Sequence, residues 1–214
     1  MRGTAATLGA VLLAAGASMR MGRPKPLLEW QGMALVRWQV ERLLAGGCSP
    51  VVVVTGHDPG QVESALHGSS VVMAHNPAWT EGRASSVVVG AAALGSTPGG
   101  VVLANVDQPL TDRALGALIV AWREAPDCIA RPVYEGRHGH PVIFPEDLRD
   151  ELARVIEAEE GPRAIVHRHA VRVLNVVTPY AEVLDDLNVP EAYSAARQAA
   201  PTDETRDNGD SAGP

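Results

Sequence analysis

Cysteine is scarce in this chain, with 2 in 214 residues, Cys48 and Cys128. Neither lies in a CxxC pair, so a zinc ligand set and a thiol redox motif are not expected. Two small, apolar residues in a reducing cytoplasm are the plain reading. Aromatic residues make up 4% of the chain, too few for the stacking platforms that read single-stranded nucleic acid. Positive charge is also short: 18 Lys and Arg stand against 25 Asp and Glu, for a formal net charge of −7. Such a surface repels phosphate backbones, so no nucleic-acid partner is expected. A polyphosphate ligand would need local positive charge and a metal. Apart from one N-terminal stretch, no uncharged apolar run approaches the ~20 residues needed to cross a membrane. That stretch, residues 4–17, TAATLGAVLLAAGA, could pass for the apolar part of a signal peptide after Arg2. One arginine makes a weak leading region, however, and the segment also reads as a buried strand entering a glycine turn. A cytoplasmic protein without a membrane partner is expected.

The chain is 46% hydrophobic and 20% charged, and it is long enough to bury one sizeable core. Residues 1–200 are read as a single domain. Residues 201–214, polar and rich in Asp, Gly and Pro, are read as a disordered tail. Short apolar runs at 8–14, 51–55, 71–74, 101–105 and 171–176 read as strands. Amphipathic stretches at 34–45, 60–67, 85–94, 112–124 and 190–199 read as helices between them. Residues 129–134 and 139–144 read as two strands joined through 135–138. Residues 146–159 read as one helix with the stripe Leu148, Leu152, Val155 and Ile156. Alternating strands and helices imply βαβ units: an α/β, three-layer, Rossmann-like fold with a mostly parallel sheet and helices on both faces. Ligands in such sheets bind beyond the carboxyl ends of the strands, so the loops after residues 14 and 105 are the places to search.

The first of these loops, residues 15–25, AGASMRMGRPK, is rich in small residues that let backbone N–H groups approach phosphate oxygens. Arg20 and Lys25 supply positive charge there. The loop is neither GxxxxGK[ST] nor GxGxxG, and a solvated glycine turn explains it as well. In the second loop, Asp107 ends an apolar strand, where a Mg²⁺-binding carboxylate or a turn aspartate would stand. A late segment, LDDLNVP at 184–190, offers another carboxylate or an ordinary helix cap. His138 and His140 would share one face of a strand, suggesting substrate contact or plain hairpin structure rather than a metal pair. His57, His67, His75, His167 and His169 read as surface residues.

Five segments, in order, match one family pattern: LAAGASMRMGRPKPLL at 13–28, NPAWTEGRASSV at 76–87, NVDQPL at 105–110, GRHGHPVIF at 136–144 and DLNVPEAY at 186–193. The chain resembles the MobA-like nucleotidyltransferases, and among them the MocA branch, the molybdenum cofactor cytidylyltransferases. The resemblance implies a fold of the nucleotide-diphospho-sugar transferase type and a Mg²⁺-dependent transfer of a nucleotide, with pyrophosphate released. It implies that Leu13, Ala14, Ala15, Gly16, Gly22, Ser85 and Ser86 surround the nucleotide, Ala14 near the base. Lys25, Arg20 and Asp107 would be catalytic, His140 and Pro141 would lie on the acceptor side, and Asp107 would hold Mg²⁺. The second metal ligand falls on Asp186 or Asn188, with Asp186 favoured. The late motif departs from the commoner DxDTPED form at Asn188, Val189 and Ala192. Leu13-Ala14-Ala15-Gly16 is the cytidylyl form of the first motif. CTP and a molybdopterin-type acceptor are therefore expected, with a molybdenum hydroxylase or its chaperone as downstream partner. A guanylyl or sugar-phosphate transferase, an NAD(P)H-dependent oxidoreductase of the nicotine blue reductase type, and a non-catalytic molybdenum cofactor carrier are the alternatives.

Overall fold

The run LGAVLLA forms strand β1, Leu8–Ala14, and all seven residues are buried. Alternate side chains leave a strand on opposite faces, so burial of both faces requires a layer on each side. The computed structural model, which describes residues 7–18, 23–95 and 99–199, places β1 at the centre of the sheet. A tight hairpin follows, β2 (Glu29–Trp30) and β3 (Met33–Ala34), and then helix α1, Leu35–Ala45. Strand β4 (Cys48–Thr55), helix α2 (Pro59–Ala65), strand β5 (Val72–His75), helix α3 (Arg83–Leu94) and strand β6 (Gly100–Asn105) complete the first half. The second half holds α4 (Asp112–Glu124), β7 (Ile129–Tyr134), β8 (Arg137–His138) and β9 (Val142–Pro145). Short helices α5 (Arg149–Leu152) and α6 (Pro162–Arg168), strand β10 (Val173–Val177) and helix α7 (Pro190–Ala199) end it.

The main sheet runs β10-β7-β9-β6-β1-β4-β5, with β8 paired to β7. Strands β5, β4, β1 and β6 are parallel neighbours, and β9 runs antiparallel between β6 and β7. This is the mostly parallel α/β sheet that the alternation of elements predicts. One face of β1, through Leu8, Ala10, Leu12 and Ala14, packs with α1, α4 and α7 residues such as Val40, Leu118 and Tyr193. The other face, through Val11, Leu13 and Ala15, packs with α3, α5 and α6 residues such as Val87, Leu152 and Ile165. Helix α3 lies so close to the sheet that a Cβ at Gly90 would collide with Val11 and Val54. Among the described residues no helix is long and apolar enough to cross a membrane.

Three expectations are corrected. The stretch 146–159 is not one helix. A 3-10 turn at Glu146–Leu148 leads into α5, and a separate 3-10 turn, Glu157–Glu159, follows, with Ile156 left 54% exposed. The apolar stripe fits a helical period, but Glu157 leaves it to make a hydrogen bond with the start of α3. His138 and His140 do not share a strand: His138 is exposed on β8, and His140 precedes β9. Accordingly, the strand read at 139–144 is β9, four residues from Val142 to Pro145. His169 is half-buried against Glu151, with Nε2 2.8 Å from Oε1, and so is not a plain surface residue.

Candidate active site

Strands β4 and β5 lie to one side of β1 and β6 to the other, so the chain reverses direction across the sheet between β1 and β6. A crevice must open beyond the carboxyl ends of strands at such a point. It does, as a cleft of about 570 Å³ whose lining includes Leu13, Ala15 and Gly16 at the end of β1, Asn105 and Asp107 at the end of β6, and Arg83 and Ser86 from α3.

The turn after β6 is held from outside. Gln39 of α1 is fully buried, and its amide nitrogen donates to the carbonyls of Asn105, Val106 and Gln108 at 3.0, 3.2 and 2.8 Å. Its amide oxygen accepts from Leu110 N at 2.9 Å. Burying an unpaired amide costs several kcal/mol, so the full set of partners is what makes this position tolerable. The Trp38 indole N–H donates to Leu110 O at 2.8 Å, and Val106 N donates to Leu13 O at 3.0 Å, tying the turn to β1. The late segment docks on the same turn, since Leu187 N donates to Asp107 O at 2.8 Å.

Lys25 joins the first loop, the turn after β6 and the late segment. Its ammonium donates to Asp107 Oδ2 at 2.8 Å and to the Asn188 amide oxygen. Lys25 is the only lysine among the chain's 18 basic residues. Its backbone N–H donates to Ser18 Oγ at 2.9 Å, which fixes the end of the glycine loop against its start. Oxygen atoms of Asp107 and Asn188 thus converge on one cation, with Asp186 two residues from Asn188. Such an all-oxygen donor set suits a hard divalent ion. Among the described residues no group of three or more His, Cys, Asp and Glu could hold a metal. One or two carboxylates completed by substrate phosphates is, however, the usual protein share of a Mg²⁺ site.

Of the residues singled out in the sequence, Leu13, Ala15, Gly16, Lys25, Ser86 and Asp107 line this cleft. Arg20 and Gly22 lie outside the described residues. Ala14 points into the α1 side of the core. The Ser85 hydroxyl donates to the carbonyls of Ala78 and Gly82, and it accepts from the buried Asn76, which also holds Ser86. Ser85 therefore shapes the loop before α3. Pro141 is buried beside His140. Asp186 is exposed, and its field, with that of Asp107, reaches Arg83.

A second cavity, of about 270 Å³, adjoins the first, and Arg83 lines both. Arg163, Glu157 and His140 line it too, over an apolar floor that includes Val142 and Phe144. Burial, then the positive charges of Arg83 and Arg163, push the His140 imidazole down to about 4, against a partial upward pull from Asp107. His140 is thus neutral near pH 7, and its buried Nδ1 has no hydrogen-bond partner among the described residues. Sequence reasoning gave no role to Gln39, Trp79, Arg83, Glu157 or Arg163. Trp79 and Arg83 stand inside a quoted motif, but Gln39, Glu157 and Arg163 sit in segments whose partners in the site are more than 20 residues away in the chain.

Residues 10–173 match the family model of the MobA-like NTP transferase domain. The nicotine blue oxidoreductase of Paenarthrobacter nicotinovorans is 36% identical over 74% of this chain and 80% of that protein. The bifunctional protein GlmU of Anaeromyxobacter sp. (strain K) is 33% identical over 80% of this chain, which spans only 36% of that protein. The molybdenum cofactor cytidylyltransferase of Escherichia coli (strain K12) is 24% identical over 88% of this chain and 94% of that protein. Among solved structures, Rv0371c of Mycobacterium tuberculosis H37Rv superposes with a TM-score of 0.76 at 27% identity, covering 91% of this chain and 100% of that one. A complex of the same protein with manganese superposes at 0.70 and 25% identity, with the same coverage.

Proposed function

The chain belongs to the MobA-like NTP transferase family, and from that premise we propose that it is a Mg²⁺-dependent cytidylyltransferase that moves CMP from CTP to a molybdopterin-type phosphate acceptor. The observation that carries the reading is the Lys25 bridge, which joins the first loop, the turn after β6 and the late segment through Asp107 and Asn188. A cation held at the meeting point of three segments is what a triphosphate of high negative charge requires. The likeness to a cytidylyltransferase over 88% of the chain and the LAAG form at 13–16 support CTP. That Rv0371c has been solved in complex with manganese supports a divalent ion.

In this reading an oxygen of the acceptor's phosphate monoester attacks the α-phosphorus of CTP in line. The α–β anhydride bond breaks and pyrophosphate leaves. The acceptor is already ionised near pH 7, so no general base is needed. Lys25, with Arg20, neutralises phosphate charge, and the backbone around Ala15 and Gly16 holds the triphosphate. Asp107 and Asp186, with Asn188 beside them, would hold Mg²⁺, which when bound supplies further charge neutralisation on the phosphates. The test is pyrophosphate release with each of the four NTPs, with and without molybdopterin. Release with CTP only, dependent on acceptor and Mg²⁺, is expected. No release with any nucleotide would overturn the reading.

One observation favours a second reading. The nicotine blue oxidoreductase is the more identical relative, at 36% against 24%. A dinucleotide in the same cleft would then reduce a quinonoid substrate. Oxidation of NADPH with a quinonoid dye, in the absence of Mg²⁺, would favour it.

A further inference from the structure

Glu157 reaches 73 residues back along the chain to accept a hydrogen bond from Ala84 N at 2.6 Å. Ala84 is in the first turn of α3, and the preceding Gly82 has no side-chain cap. The approach is so close that a Cβ at Gly82, which also sits at φ +109°, would lie 2.6 Å from Glu157 Cγ and Cδ. The carboxylate therefore fills a place where backbone N–H, the Arg83 guanidinium and the Arg163 guanidinium face one cavity. Two like cations at one cavity repel each other, and an anion between them relieves that repulsion.

Glu157 opens a short segment. It is a single 3-10 turn, exposed along its length, and it ends at Glu160 and Gly161 with positive φ. The cavity floor, with Val142 and Phe144, is apolar and suits a flat or hydrocarbon body, while the two arginines suit a phosphate. Resting on the transferase reading, we propose that this cavity binds the phosphate monoester of the acceptor through Arg83 and Arg163, and that Glu157 is an internal anion which the acceptor's phosphate displaces from Ala84. Glu157 sets the threshold for acceptor entry: only a ligand with comparable negative charge takes its place.

Phenyl phosphate, a flat phosphate monoester, is the probe, with binding followed by calorimetric titration without nucleotide. Glu157→Gln should bind it about tenfold tighter than the unmodified protein, because a neutral amide competes more weakly for the site. Arg163→Gln should bind it about tenfold weaker. Lys25→Met should bind it unchanged, since Lys25 lines only the first cleft. Unchanged or weaker binding by Glu157→Gln would overturn the displacement. Loss of binding in Lys25→Met would place the probe in the nucleotide loop and overturn the site. If Glu157→Gln does not fold, Glu157→Asp, too short to reach Ala84, carries the same expectation of tighter binding. No turnover is measured, so failure of the transferase reading, seen as absent pyrophosphate release, is separately visible.

Discussion

Two segments face each other across Arg83 and are held in opposite ways. The turn at 105–110 is fastened at almost every polar backbone atom, by Gln39, Trp38, Leu13 and Leu187. The segment at 153–161 is half-buried at Ala153 and Val155 but exposed from Ile156 to Glu160, has positive-φ residues at its end, and reaches the start of α3 through the Glu157 carboxylate. The first carries Asp107, which in the proposed mechanism helps to position the phosphates, and there an error of 1 Å would cost rate. The second borders the cavity proposed above to take the acceptor. On the proposed reading the densely hydrogen-bonded turn falls on the nucleotide side and the more exposed segment on the acceptor side, where low local stability is expected of segments that move.

The largest expected effect lies on the rigid side. Asp107→Ala should abolish pyrophosphate release while the circular dichroism spectrum is retained. Lys25→Met should lower kcat on the order of 10²–10³-fold, the usual cost of one charge contact on a developing anion. Full activity in either would sink the assignment of the site. Next comes Gln39→Leu, which never touches a ligand. It leaves Leu110 N and three carbonyls without their partner, and should cost about 2–4 kcal/mol by denaturant midpoint, together with a fall in kcat. An unchanged midpoint would show that the turn holds itself and that the contrast between the two segments is wrong.

A smaller effect belongs to His140, at the boundary between the two sides. Unfolded, its imidazole titrates near 6.5, whereas in the folded chain burial and two arginines hold it near about 4. Between these values the unfolded chain takes up a proton that the folded chain refuses. Stability is therefore full above pH 6.5 and declines as pH falls towards 4. In His140→Gln the slope of stability against pH between 6.5 and 4.5 should flatten. A slope equal to that of the unmodified protein would mean the imidazole is not shielded. The smallest effect is expected in the loose segment. Ile156→Asp should change stability by no more than about 0.5 kcal/mol, since the side chain is already 54% exposed. A loss of several kcal/mol there would mean that 153–161 is packed as firmly as the opposing turn.

The sheet and its helices were legible because each buried strand of the first half is a short apolar run and the longer flanking helices repeat their apolar residues at helical spacing. Val101 to Asn105 and Asp112 to Glu124 are examples in which local pattern and tertiary fate agree. In the segment 146–159 local pattern and tertiary fate part. Its stripe satisfies a helix, but the competing partner, Ala84, is remote in sequence. In the site, Lys25, Asp107 and the 186–188 segment were readable because they follow apolar strands or precede a helix. The supporting Gln39 was not, because a glutamine inside an amphipathic helix gives no sign that its amide will be buried. Which of two adjacent serines faces the cleft was equally invisible, since Ser85 and Ser86 differ only by the 100° turn between neighbours on a helix.

Every cation in the described part of the cleft other than Lys25 is a guanidinium, inert to acylating reagents at neutral pH. An amine-directed label, once the α-amino group is blocked, therefore has a single side-chain address in the whole molecule. Without any mutation, the chain carries its own reporter at the point where three segments meet. The extent of labelling becomes a direct reading of how much of the protein has its cleft filled, and by which nucleotide.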